Sequence, residues 1–236
     1  MADTPANAVP VVTIDGPGGA GKGTIAGLLA ERLGWHLLDS GALYRLVALD
    51  ATSRAIPLEA EAELARIAAS LDVRFDARSG EGLVWLGNRD VTQAIRTEAC
   101  GQGASVVAAL PAVRAALVQR QRDFRQLPGL VADGRDMATV IFPDAGLKVF
   151  LTASVEERAR RRHKQLKDKG IDVSLAALSK DMAERDRRDS ERSVAPLRPG
   201  QGARILDTTG MTIPEVVDLT SRWASETFPG ASPRRA

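Results

Sequence analysis

The segment Gly16-Pro17-Gly18-Gly19-Ala20-Gly21-Lys22-Gly23-Thr24 fits G-x-x-x-x-G-K with Gly-Thr following. The chemistry of that spacing is phosphate binding. Glycines let successive backbone N–H groups turn inward around phosphate oxygens. A helix beginning just after them offers its positive N-terminus, and Lys22 adds a point charge for the β- and γ-phosphates. The strict motif carries a Mg²⁺-binding Ser or Thr at position 23. Here that position is Gly, and the hydroxyl comes one residue later, at Thr24. A Mg²⁺ ion is therefore expected to be held mainly by phosphates and water. Thr24 and Asp133 are the side chains that could reach it, and no dedicated protein metal site is expected.

Three further clusters carry groups that could meet a second substrate. Asp39-Ser40-Gly41-Ala42-Leu43-Tyr44-Arg45 follows a short apolar run. At the carboxyl end of a strand in an open α/β sheet, Ser40 and Arg45 would face the ligand crevice. A helix-capping serine beside a surface arginine explains the same residues. Asp133-Gly134-Arg135-Asp136 stands in the same relation to the run before it, and reads as a site or as a charged tight turn. In Glu184-Arg185-Asp186-Arg187-Arg188-Asp189-Ser190-Glu191-Arg192, helical spacing puts Arg185, Arg188, Asp189 and Arg192 on one face. Runs of this kind are ordinarily solvated faces laced with ion pairs. Arg158, Arg161 and Arg162 form a similar stripe. His36 and His163 read as a strand residue and a member of the basic helix.

The elements that must position these groups follow from pattern. Val9 to Ile14 is a short, β-branched run, hence a buried strand leading into the glycine loop. Thr24 to Leu33 reads as a helix ended by Gly34. Trp35 to Leu38 is a strand and Ala42 to Ser53 a helix. Leu58 to Ser70 is another helix. Leu71, Val73 and Phe75 then alternate with charged residues, a period of two. Ser79 to Gly82 reads as a turn and Leu83 to Leu86 as the returning strand, so a β hairpin from Leu71 to Thr92 interrupts an α/β pattern. Ser105 to Phe124 is helical and is kinked or split at Pro111. Leu130 to Ala132 and Leu147 to Leu151 are strands. Ser154 and Glu157 form a capping box opening an Arg-rich helix. Leu175 to Val194 is a long polar helix, Ile205-Leu206 a last strand, and Thr212 with Glu215 opens the final helix. Alternating strands and helices imply a parallel sheet covered on both faces.

Composition narrows the chemistry. The 236 residues are 44% hydrophobic and 26% charged, which suits a globular domain carrying a smaller one. The formal net charge of +2 and the small aromatic set of three Trp, one Tyr and five Phe argue against a nucleic-acid partner. A single cysteine, Cys100, precludes an intrachain disulfide. The start MADTPANAVP lacks a basic n-region, and no apolar stretch reaches the ~18 residues of a membrane span. A soluble, cytoplasmic protein is the expectation. With two histidines, catalysis must rest on Asp, Arg, Lys, Ser and backbone amides.

The phosphate loop together with LLDSGALYR, IRTEACGQGASVVAALPAVR, LVADGRDMATVIFPDA and ERDRRDSERSVAPLRP resembles bacterial cytidylate (CMP) kinases, from about Val11 to the last helix. The resemblance implies a P-loop kinase fold with a five-stranded parallel sheet flanked by helices. It implies a core over residues 9–56 and 105–230 with a short lid at about 156–172. An inserted nucleoside-monophosphate-binding domain would span 57–104, and 1–8 and 231–236 would be flexible tails. It implies ATP as phosphoryl donor with Mg²⁺, CMP and dCMP as acceptors, no polymer or membrane partner, and a monomer. Ser40, Arg114 and Asp136 would face the cytosine, with Tyr44 beside them. Ser105, Arg185 and Asp189 would form the ribose group. Arg45, Arg135 and Arg192 would surround the acceptor phosphate, and Arg188 would be a further substrate-binding residue. Gly16 to Thr24 and Arg158 would hold ATP. Lys22, Arg135, Arg161, Arg162 and Asp133 would act on the transferring phosphoryl group.

Rival readings have their own signatures. A P-loop kinase for UMP or a sugar would lack base readout through Asp136 and Arg114. A slow nucleotide-hydrolysing switch would turn over without an acceptor, and a guanine-reading N-K-x-D sequence is absent.

Overall fold

In a computed structural model, the described residues are 9–76, 83–168 and 170–230. The expected tails, 1–8 and 231–236, and the turn Ser79 to Gly82 lie outside them. The first run becomes Val11–Asp15 (β1), every residue of it buried. It is followed by Lys22–Leu33 (α1), which stops at Gly34 in a left-handed conformation with φ +66°. His36–Asp39 (β2) leads into Ser40–Ser53 (α2), and Glu61–Ser70 (α3) follows.

Val73–Asp76 (β3) pairs antiparallel with Leu83–Leu86 (β4), as the period of two implies. A two-residue strand, Arg89–Asp90 (β5), completes a separate three-stranded sheet. The expected helix from Ser105 to Phe124 is two helices, Glu98–Val107 (α4) and Pro111–Arg122 (α5), bent by 100°. Pro111 sits in the first turn of α5, where its missing N–H costs nothing. The division at 104/105 falls inside α4.

Leu130–Gly134 (β6) passes into a π-helical turn, Met137–Ile141, that the pattern did not suggest. Leu147–Thr152 (β7), Val155–Asp168 (α6), Leu175–Glu191 (α7), Arg204–Asp207 (β8) and Ile213–Thr227 (α8) complete the chain. The box expected at Ser154 is half-formed. Glu157 N–H donates to Ser154 Oγ at 3.2 Å, but the Glu157 carboxylate is taken by Arg160 and Arg161. The box at Thr212 and Glu215 is complete.

The main sheet has five strands in the order β2-β6-β1-β7-β8, all parallel. One apolar core lies between the sheet and α2, α3, α4 and α5, around Leu43, Leu46, Leu64 and Leu117. The other lies under α1 and α8, around Ile25, Leu29, Val216 and Val217. Strands buried on both faces explain why β1 and β6 read as continuous apolar runs rather than alternating ones. No single helix among the described residues is long and apolar enough to cross a membrane.

Candidate active site

The carboxyl ends of β1, β2 and β6 lie side by side. Asp15 is in register with Gly134, and Asp39 with Asp133. This places the phosphate loop between neighbouring strand ends, where ligands bind in open α/β sheets. The loop leaves β1 at Gly16, whose φ is +151°. A Cβ there would lie 2.0 Å from the Leu151 carbonyl oxygen, so only glycine fits.

Lys22 opens α1 and is buried. Its Nζ donates to the Pro17 carbonyl at 3.1 Å and lies 3.8 Å from Asp133 Oδ1. Burial, reinforced by Arg135, holds this ammonium below the usual lysine range. Burial likewise pushes the Asp133 carboxyl above the usual carboxylate range, against the pull of Lys22. Asp133 Oδ1 is buried and accepts no hydrogen bond.

The second and third acceptor clusters converge on the loop. Buried Arg158 of α6 donates to the Gly18 and Ala153 carbonyls, each at 2.9 Å, and pairs with Asp186 of α7 at 2.5 Å. Arg135 Nε donates to Asp189 Oδ2 at 3.0 Å, tying the end of β6 to α7. A Cβ on Gly18 would lie 3.5 Å from Arg135 Nη2 and 3.9 Å from the Arg185 side chain. Arg135 and Arg185 therefore overhang the phosphate loop.

This cluster is short of acceptors. Arg185 Nε and Arg192 Nη2 are buried with no hydrogen-bond partner. Burial, then repulsion from Arg135, pushes Arg185 down to about 10. Burial and Arg114 lower Arg192 as well. Burial works against the charge on Asp189, yet Arg135 and Arg185 hold its carboxyl below the usual range. Buried N–H groups without acceptors are costly. An anion lying among Lys22, Arg135, Arg185 and Arg192 would satisfy them.

Beside this cluster lies a buried ion pair. Arg114 of α5 donates to Asp136, which follows β6. Arg192 Nη2 stands 4.0 Å from the other Asp136 oxygen. The Arg114 guanidinium lies 5.9 Å from the centre of the Tyr44 ring, within cation–π range. Ser40 opens α2 and is buried. Its Oγ would be 2.7 Å from a Cβ on Gly134, so the glycine permits the approach of the two turns.

Other expected residues are placed differently. Arg161 donates to Glu157 and to Thr208, and Arg162 to Glu98 and the Arg96 carbonyl, so both guanidinium groups are engaged within the protein. Arg188 is exposed on α7, and Ser105 is half-buried on α4. Arg45 is half-buried and donates to the Ile95 carbonyl at 2.6 Å. One residue the motifs passed over stands at the centre. Asp15 is 1% exposed and accepts from two backbone N–H groups just after Asp136. Its signal was a lone carboxylate closing an apolar strand, next to the first glycine of the loop.

The described residues contain no group of three His, Cys, Asp or Glu able to hold a metal. The unbonded Asp133 oxygen beside Lys22, with Thr24 exposed at the start of α1, fits a Mg²⁺ carried by phosphates and contacted through water.

A parallel sheet, a glycine loop opening a helix with a buried lysine, and the guanidinium groups of Arg135 and Arg185 over that loop define a P-loop kinase. The family model for cytidylate kinase matches residues 12–225. The chain belongs to the cytidylate kinase family. It is 61% identical over 218 residues to the cytidylate kinase of Pseudomonas aeruginosa (strain UCBPP-PA14), covering 91% of this chain and 95% of that protein. It is 55% identical over 223 residues to the cytidylate kinase of Aeromonas salmonicida (strain A449), covering 94% and 97%. An uncharacterized protein from Eubacterium ventriosum ATCC 27560, known from a crystal structure, shares the fold. Its TM-score is 0.50 at 11% identity, with 92% of this chain and 98% of that one covered.

Proposed function

We propose that the chain catalyses ATP + CMP → ADP + CDP and accepts dCMP in place of CMP. One observation carries this reading beyond the family. Arg185, whose buried Nε has no hydrogen-bond partner, overhangs the phosphate loop at Gly18, while Arg192 Nη2, also without a hydrogen bond, stands 4.0 Å from Asp136 of the buried Arg114–Asp136 pair. That is the order of charges an acceptor nucleotide needs, with its phosphate toward the donor and its base away from it.

An oxygen of the CMP phosphate attacks the γ-phosphorus, and the bond from that phosphorus to the β–γ bridging oxygen breaks. The second pKa of a phosphate monoester is about 6, so the nucleophile is already mostly dianionic at neutral pH and needs no general base. The protein's task is positioning and charge neutralisation. Lys22 and the amides of Gly16 to Thr24 hold the donor phosphates. Arg135, Arg185, Arg192 and Arg45 draw in the acceptor phosphate. Asp189 accepts from a ribose hydroxyl. Mg²⁺, when bound, adds positive charge at the donor phosphates, with Asp133 and Thr24 meeting its waters.

Cytosine presents an N4 amino donor beside N3 and O2 acceptors. Asp136 would accept from the amino group, and Arg114 would donate to the ring. Uracil sets an O4 acceptor against Asp136 and an N3–H donor against Arg114. The reading also takes 57–104 as the segment that closes on the acceptor and 156–172 as the lid. It takes the protein to work as a cytoplasmic monomer. Arg161 and Arg162 would then reach the phosphoryl group only by leaving Thr208 and Glu98.

A coupled ADP-release assay across CMP, dCMP, UMP, AMP and GMP tests this. CMP is expected to give the highest kcat/KM. Preference for UMP, or ADP release independent of any acceptor, would overturn it.

A further inference from the structure

Asp15 closes β1, where Val11, Val12 and Ile14 are all buried and apolar. An apolar residue would fill this core position without the cost of burying a charge. Its carboxylate is used in full. Oδ1 accepts from the Met137 N–H at 2.9 Å and Oδ2 from the Ala138 N–H at 2.8 Å. These are the first two residues of the π-helical turn Met137–Ile141. The first N–H groups of any helix lack partners within it, and the residue before them commonly caps them with its own side chain. Here that residue is Asp136, a favoured cap type, and its side chain makes no cap hydrogen bond. Instead it pairs with Arg114. The capping comes from Asp15, 122 and 123 positions earlier in the chain.

We propose that Asp15 is a positioning residue for recognition of the acceptor base: by capping the π-helical turn from β1, it leaves the Asp136 carboxylate free to read the base. Because Asp15 immediately precedes Gly16, the same contact locks the base-reading turn in register with the phosphate loop. The charged groups that face Asp15 are Lys22 of α1, whose charge favours its ionised form, and Asp136 and Asp133 of the β6 end, whose charges oppose it. Burial, opposed by the two backbone N–H groups, pushes its carboxyl up to about 6. The inference rests on the reading of Asp136 as the base contact.

The test compares parent, Asp15→Asn, Asp136→Asn and the double variant, with KM and kcat for CMP, UMP and ATP. Asparagine keeps the shape but can accept only one of the two N–H groups, and its own amide then faces the other. Asp15→Asn is expected to raise KM for CMP about tenfold. It should narrow the CMP:UMP preference while KM for ATP stays within about twofold. The double variant should narrow the preference no further than Asp136→Asn alone, since both act through one group. A narrowed preference in Asp136→Asn with the parent preference kept in Asp15→Asn would overturn the positioning role alone. The parent preference kept in Asp136→Asn would overturn the base contact and this inference with it. Asp15→Ser, whose hydroxyl can still accept one N–H, serves as the second variant. Failure of both Asp15 variants to fold would assign the carboxylate to the core and overturn the proposal.

Discussion

Lys22 Nζ lies 3.8 Å from Asp133 Oδ1, with both side chains inside the protein and no hydrogen bond closing the gap. The ammonium bonds to the Pro17 carbonyl of its own loop. It is thus held at the phosphate loop by contacts that a nucleotide can improve on, because a phosphate offers a full charge where a carbonyl offers a dipole.

Lys22→Ala is expected to lower kcat at least about a hundredfold, the usual scale for losing one charge directed at the transition state. Circular dichroism should show the fold kept. A folded variant with the parent kcat would remove the loop from catalysis.

Tyr44 is the chain's single tyrosine, so its ionisation can be followed alone. Burial pushes its phenol up to about 12, with Arg114 pulling the other way. The tyrosinate absorbance is expected to appear well above the ordinary phenol range, about 10. The phenol should ionise together with unfolding. A reversible step near the ordinary value in folded protein would place Tyr44 at the surface and undo its packing beside Arg114.

Arg162 pairs with Glu98, joining α6 to α4. Glu98 is 51% exposed, so the pair adds little to stability. If the arginine serves the phosphoryl group, Arg162→Ala should lower kcat more than about tenfold with Tm nearly unchanged, while Glu98→Ala leaves kcat at or above the parent value. Equal, small Tm losses in both variants with kcat untouched would make the pair structural only.

The raised Asp15 pKa has a sign that can be checked. The folded protein holds this proton up to about 6, against 3.8 for the ordinary group. That contribution to stability is complete below 3.8 and is lost as pH rises through 6. Urea midpoints of parent and Asp15→Asn should therefore diverge with pH. Parent stability relative to the variant should fall by on the order of 3 kcal/mol between pH 4 and 7. A difference that does not vary with pH would mean that the carboxyl titrates normally.

Most elements were legible because their signals are local. β1 and β6 are short apolar runs, and Gly34 and Pro111 mark helix boundaries by their own backbone chemistry. The phosphate loop is contiguous, so its chemistry could be read directly. What was not legible depends on distant partners. The π-helical turn is capped by Asp15 from another strand, and no pattern within Met137–Ile141 announces it. The Ser154 box is half-formed because Glu157 meets two nearer arginines. Helical spacing put Arg185, Arg188, Asp189 and Arg192 on one face. It could not tell that Asp189 would be buried against Arg135 while Arg188 stays in solvent.

The central claim is that the Arg114–Asp136 pair reads the acceptor base. The most direct test is the ratio of kcat/KM for CMP to that for UMP in Asp136→Asn. An ionised carboxylate only accepts, so it suits the cytosine amino group and repels uracil O4. An amide also donates, which removes that repulsion. The loss for CMP should be on the order of 1.5–3 kcal/mol, the range for a hydrogen bond to a charged group. The CMP:UMP ratio should narrow accordingly. The CMP:dCMP ratio should hold, because Asp189 is untouched. An Asp136→Asn protein with the parent CMP:UMP ratio would contradict the account.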